Sequence, residues 1–138
     1  MLTTSLDGIA LTWAVSMLEG FVVEIKTLPW MGVPTTKLKI ISPSYWHGHF
    51  PDFCTKSEEC CPIMFREKIQ TTPLLGPKEE WRATMLKYGF TQALGPTPFI
   101  AAMRCWVLSQ VGEHITLPPE LSAFDKGDSY KNIPGAEF

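Results

Sequence analysis

Residues 95–112, GPTPFIAAMRCWVLSQVG, constrain the chain more than any other stretch. Gly95-Pro96-Thr97-Pro98 gives a sharp turn. Thr97 then reads as an N-cap with Pro98 at the first helical position, where the missing N–H costs nothing. The helix runs to about Val111 and stops at Gly112. Phe99 to Met103, Cys105 to Leu108 and Val111 are apolar and cover nearly every direction around its axis. A helix apolar on all sides is a central, buried one, so the rest of the chain has to wrap it. At 138 residues the chain is long enough for one core without a disulfide or metal staple.

The charge balance excludes one class of partner. Lys plus Arg number 12 against 14 for Asp plus Glu, a net charge of −2, whereas a general nucleic-acid binder carries a basic excess. A small anionic ligand needs only two or three cations placed locally and stays open. With 45% hydrophobic and 19% charged residues the chain is globular, not disordered.

The apolar stretch 9–18 follows MLTTSLDG, which has no Lys or Arg, so it lacks the basic leader of a secretory signal. It is also shorter than the roughly 20 residues needed to span a bilayer. The chain reads as soluble and intracellular with no membrane partner, and Cys54, Cys60, Cys61 and Cys105 read as reduced thiols.

Ile9 to Glu19 reads as a helix, with Asp7 as N-cap and Gly20 as stop. Phe21 to Leu28 reads as a strand, Pro29 to Pro34 as a turn, and Lys37 to Ser42 as a second strand with Lys37 and Lys39 on one face. Ser42 to Phe53 (SPSYWHGHFPDF) is an irregular aromatic loop. Thr55 and Glu58 have capping-box spacing ahead of a helix to about Ile69, either kinked or restarted at Pro62. Thr71 to Lys78 reads as a loop and Trp81 to Tyr88 as a strand. Leu117 to Leu121 is a stiff exit. The expected architecture is a small α+β single domain over 1–121: a buried C-terminal helix packed on a short antiparallel sheet, with further helices. Residues 122–138 form an irregular or surface-wrapping tail.

Trp13-Ala14-Val15, Pro62-Ile63 with Arg66-Glu67-Lys68-Ile69, Trp81, and above all GPTPFIAAMRCWVLSQVGEHITLPPEL from Gly95 to Leu121 resemble the bacteriophage NinX-like family. These are small accessory phage proteins, classed as a domain of unknown function. The likeness extends from about Leu6 to Leu121. It implies a phage or prophage origin and action in the cytoplasm of the bacterial host, and it carries no catalytic residues over.

Four constellations carry chemistry, each with a plainer reading beside it. Arg104 interrupts an apolar helix. It is either a structural cation paired with Glu67, Glu19 or backbone carbonyls, or a bidentate clamp on a phosphate or carboxylate. The turn at Thr97 either caps the helix or offers its N-terminus to an anion. The loop rings Tyr45, Trp46, His47, His49, Phe50 and Phe53 either stack on a planar base or close the core or a subunit interface. His47, His49, Cys54, Cys60 and Cys61 are zinc-type ligands, but the spacing lacks a C-x2-C knuckle.

No Gly-rich phosphate loop, HExxH, GxSxG or DxD motif is present, so the sequence calls for no cofactor, metal or catalytic set. A Cys–His nucleophile pair could be drawn from Cys105 and any of the three histidines, yet Cys105 lies in the apolar helix, where inert buried cysteine is the ordinary state. The expected ligand set is therefore Arg104, Thr97, Tyr45, Trp46, His47, Trp30 and Lys39. The expected function is a non-catalytic homo-oligomeric sponge that sequesters a nucleotide-like host immune signal and so counters host defence. A protein–protein inhibitor of a host enzyme, acting through the aromatic loop, is the first alternative. A nucleotide-acting hydrolase is the second.

Overall fold

The computed structural model describes residues 1–124, and of these every side chain except those of Leu28, Trp30, Tyr45, Ser122, Ala123 and Phe124. The expected tail therefore lies largely outside the described residues. A 3₁₀ turn at Pro119–Phe124 takes in the second half of the stiff exit.

Helix α1 (Gly8–Leu18) begins at Asp7, whose carboxylate accepts the Gly8 N–H at 2.8 Å. It ends just before Gly20, which has φ +77°. Ala10, Leu11, Ala14 and Val15 are buried.

Strands β1 (Val22–Trp30) and β2 (Val33–Ser42) form an antiparallel hairpin longer than expected. Its turn is only Met31–Gly32, both at positive φ (52° and 81°), as a two-residue type I′ connection requires. The strands continue through Pro29 and Pro34, which the sequence had assigned to the turn. The reason is parity. The Ile40 N–H donates to the His49 carbonyl and its own carbonyl accepts from Gly48 N–H, both at 2.8 Å, so Ile40 faces away from β1. Pro34 has the same parity, and Pro29 pairs with Pro34. Neither proline is asked to donate into the ladder.

The aromatic loop contains one 3₁₀ turn, Ser44–Trp46. Helix α2 (Ser57–Glu67) follows, without a side-chain cap. The capping-box expectation is corrected here: Thr55 donates to Asp52, whose other carboxylate oxygen accepts the N–H groups of Cys54 and Thr55. Thr55 is thus engaged in an Asx-type turn and unavailable to α2. Pro62 lies inside one continuous helix rather than restarting it, and the helix ends at Lys68 in the left-handed region.

A second sheet has the order β3 (Gln70–Leu74), β4 (Glu80–Met85), β5 (Thr91–Gly95), all antiparallel. Strand β3 replaces part of the expected loop 71–78. Pro73 is tolerated because β3 is an edge strand. The strand expected at Trp81 to Tyr88 ends at Met85. Helix α3 (Pro98–Val111) is capped by Thr97, whose Oγ1 accepts Ile100 N–H at 3.2 Å, and stops at Gly112 with φ +94°.

Helix α3 packs on β5 and β4, and α1 and α2 pack against it in turn. Ala101, Ala102, Met103, Cys105 and Val107 are wholly enclosed. The chain start lies beside the exit of α3, with Thr3 N–H donating to Glu113 O at 2.8 Å. The architecture is α+β, with the apolar helix at its centre.

Candidate functional site

Arg104 is half-buried on α3. Its Nε donates to the Leu6 carbonyl at 2.6 Å and Nη1 to the Leu94 carbonyl at 2.9 Å. Desolvation pulls its pKa below the usual arginine value, against the opposing charge of Asp7. Of the structural partners considered, backbone carbonyls take the guanidinium.

Glu19 and Glu67 belong instead to Arg66. Its Nη1 and Nη2 grip Glu19 at 2.7 and 2.8 Å, and its Nε donates to Glu67 at 2.5 Å. Arg66 also lies over the Trp106 ring, 5.5 Å from the centroid. Glu67, 3% exposed, further accepts from Tyr88 Oη at 3.0 Å and faces Lys87 Nζ at 3.3 Å. Burial alone would raise the Glu67 pKa, but these donors outweigh it and hold it below the ordinary value.

Arg104 lines a cleft of about 560 Å³ with Thr4, Lys78, Glu79, Glu80 and Gln92. The two carboxylates there oppose an anionic guest. Thr97 is exposed and spends its oxygen on the helix cap.

The aromatic loop folds down onto the body. Trp46 lies 5.5 Å from the Phe21 ring and edge-on to His49 at 5.0 Å, while Phe21 lies 6.5 Å from buried Phe53. His49 Nε2 meets Glu59 Oε1 at 3.2 Å. Glu59, 7% exposed, also accepts Asp52 N–H at 3.0 Å and faces Lys56 at 3.8 Å. A buried carboxylate so surrounded fixes the loop in place. His47 stays exposed, and Lys39 is half-buried at the position opposite Glu24. The side chains of Trp30 and Tyr45 lie outside the described ones. Trp30 ends β1 and Tyr45 sits in the 3₁₀ turn. Trp46, His47 and Lys39 do not line the cleft that Arg104 lines.

A different cleft, of about 430 Å³, opens between the start of α1, β2 and residues 50–56. Gly8 and Ile9 line it at the α1 N-terminus. Lys37, Lys56, whose Nζ lies 3.8 Å from Glu59, and Phe50, 41% exposed, also line it. Asp52 also lines it. Burial pushes the Asp52 pKa up, but bonds from Thr55 and the Cys54 and Thr55 amides outweigh that and leave it lowered. Phe50 and Lys37 stand in segments that sequence reading had singled out. Lys56 and the α1 start had no signal, because only the tertiary fold brings them beside β2.

Cys54, Cys60 and Cys105 are buried, and Cys61 is half-buried. Burial pushes Cys54 up to about 11 and Cys60 and Cys105 each up to about 12. Cys54 Sγ lies 3.4 Å from the Gly8 carbonyl. Among the described residues, no three His, Cys, Asp or Glu side chains converge as metal ligands would. No described helix is long and apolar enough to cross a membrane.

No curated protein matches the chain. The family model described as "Bacteriophage P22, NinX" matches residues 3–110, from the first 3₁₀ turn to the last turn of α3. It spans the capped apolar helix, the Arg66–Glu67 pair and the Asp7-capped α1 in one match, and the chain belongs to this NinX family of bacteriophage proteins.

Proposed function

We propose that this protein binds a nucleotide-derived anion without turning it over, in the cleft between the start of α1, β2 and residues 50–56. A phage would use it in the bacterial cytoplasm to sequester a host immune signal. The observation that carries the reading is the pairing, in one cleft of about 430 Å³, of two ammonium groups with an exposed ring. That volume lies in the range of small-ligand sites, roughly 300–1,000 Å³. Lys37 and Lys56 outnumber the one lining carboxylate, Asp52, and supply attraction for phosphate, and Phe50 supplies a surface for a base. The seat differs from the one expected from sequence, since Arg104 is committed to two carbonyls.

Thiol chemistry has little support. A cysteine with a pKa near 11 or 12 is almost wholly protonated at neutral pH and is a poor nucleophile. This weighs against the hydrolase alternative in its Cys–His form.

A host-protein inhibitor is favoured by one separate observation. Phe65, Leu86 and Phe90 are 79%, 68% and 69% exposed. The aromatic loop itself offers less than expected, because Trp46 and Phe53 pack inward.

Calorimetry with cyclic dinucleotides and ADP-ribose separates these readings. Saturable heat with the nucleotide recovered intact, and at least about a tenfold loss of affinity in Lys37→Glu/Lys56→Glu, supports the cleft. Flat titrations of folded protein across both classes overturn it, and a changed elution of the nucleotide on chromatography favours the hydrolase.

A further inference from the structure

The β1–β2 hairpin is a two-stranded sheet, so each strand has an outer edge. The two edges are managed differently. On β2, the outward backbone groups of Ile40 are already bonded to Gly48 and His49. Farther along, Lys37 and Lys39 stand two residues apart on one face, a pattern that repels a second copy of the same edge. On β1, outward-facing backbone follows from the register. Val23 pairs with Ile40 and Ile25 with Leu38, so Val23, Ile25 and Thr27 share the outward parity. Among the described residues, no backbone or side-chain group bonds to the outward N–H or C=O of these three. They form an open template for another strand.

The side chains between them select the strand. Glu24 and Lys26 flank Ile25 on one face and lie 3.4 Å apart as an ion pair. Outward parity allows a second β1 to pair antiparallel in few registers. Centring the twofold on residue 24 sets Glu24 against its own copy, and centring it on 26 sets Lys26 against its own copy. Each places like charges directly opposite, which is destabilising. Centring it on Ile25 sets Glu24 of each copy against Lys26 of the other, at the closer, non-hydrogen-bonded positions. In that register Ile25 exchanges both backbone bonds with its copy, and Val23 exchanges bonds with Thr27. A register centred on Thr27 loses a donor, because Ile25 would then face Pro29.

We infer that the outer edge of β1 is a self-association surface: two copies join antiparallel about a twofold axis at Ile25, giving a continuous four-stranded sheet with Glu24–Lys26 pairs across the seam. The self-association expected from sequence thereby acquires a specific surface, independent of any ligand in the cleft. The arrangement is isologous, as closed dimers require.

Sedimentation velocity over a wide concentration range, with thermal melts to check folding, tests this. Wild-type protein should dimerise. Glu24→Lys and Lys26→Glu should each weaken the dimer about tenfold or more, since each turns two cross-strand attractions into repulsions. The doubly exchanged Glu24→Lys/Lys26→Glu should restore it to within a few-fold. The melts separate a broken seam from a broken hairpin, since the double exchange restores opposite charges both within β1 and across the seam: a single variant that melts like wild type but dimerises weakly has lost the seam alone. A wild type monomeric at its highest soluble concentration overturns the inference. So do single variants that dimerise like wild type, or a double variant that stays as weak as the singles.

Discussion

A β-carbon built on Gly95 would sit 2.7 Å from the backbone nitrogen of Ala101 and 3.0 Å from its Cα. Strand β5 and helix α3 therefore meet backbone to backbone, at a separation only a bare α-carbon allows. The obstacle is main chain and cannot swing aside as a side chain would. Gly95→Ala should lower stability by about 1–3 kcal/mol, the usual range for forcing extra volume into a packed core. Urea denaturation reads this directly. An unchanged midpoint with an unchanged slope would mean that α3 has room to shift.

Arg104 ties the segment ahead of α1 to β5 through two carbonyls. Replacing it with Ala removes two charge-assisted donors and strands their acceptors. A loss of about 2 kcal/mol is expected, from hydrogen bonds of this kind. Nucleotide affinity should not change, because the Lys37–Lys56 cleft does not include Arg104. Calorimetry and melting on the same variant decide the point. Lost affinity at an unchanged melting temperature would restore Arg104 as the clamp.

Acid should loosen the α1–α2–β4 corner. Glu67 titrates below the ordinary carboxylate value in the folded protein, because Arg66, Tyr88 and Lys87 outweigh its burial. Its contribution is complete above the unfolded pKa, near 4.3, and is lost as pH falls through the lower folded value. Asp52 acts in the same direction. Glu67→Gln should cost about 2 kcal/mol at neutral pH, in line with bonds to charged groups. It should also flatten the fall in melting temperature on acidification. A variant as acid-sensitive as wild type would assign the acid response to other groups.

Local signals were legible where one residue dictates local geometry. Thr97-Pro98 and Gly112 bounded α3, and Asp7 and Gly20 bounded α1, because caps and positive-φ stops act within one turn. The prolines misled for the same reason. Pro29, Pro34 and Pro73 read as turn or loop residues, yet their cost depends on which side of the strand lacks a partner. Strand β5 had no signal of its own. It is five residues long and takes its place from β4 and α3.

Residue patterning alone required an apolar helix at the centre and an α+β fold, and it carried the likeness to the NinX family. Those follow from side-chain periodicity and local backbone preference, which short segments carry. Which partner each charge keeps follows from the folded arrangement alone. Arg66 rather than Arg104 holds Glu19 and Glu67, Glu59 anchors the aromatic loop, and Lys37 and Lys56 line one cleft. Arg66 and Glu19 stand 47 residues apart, and a spacing of that kind along the chain says nothing of the distance across the fold.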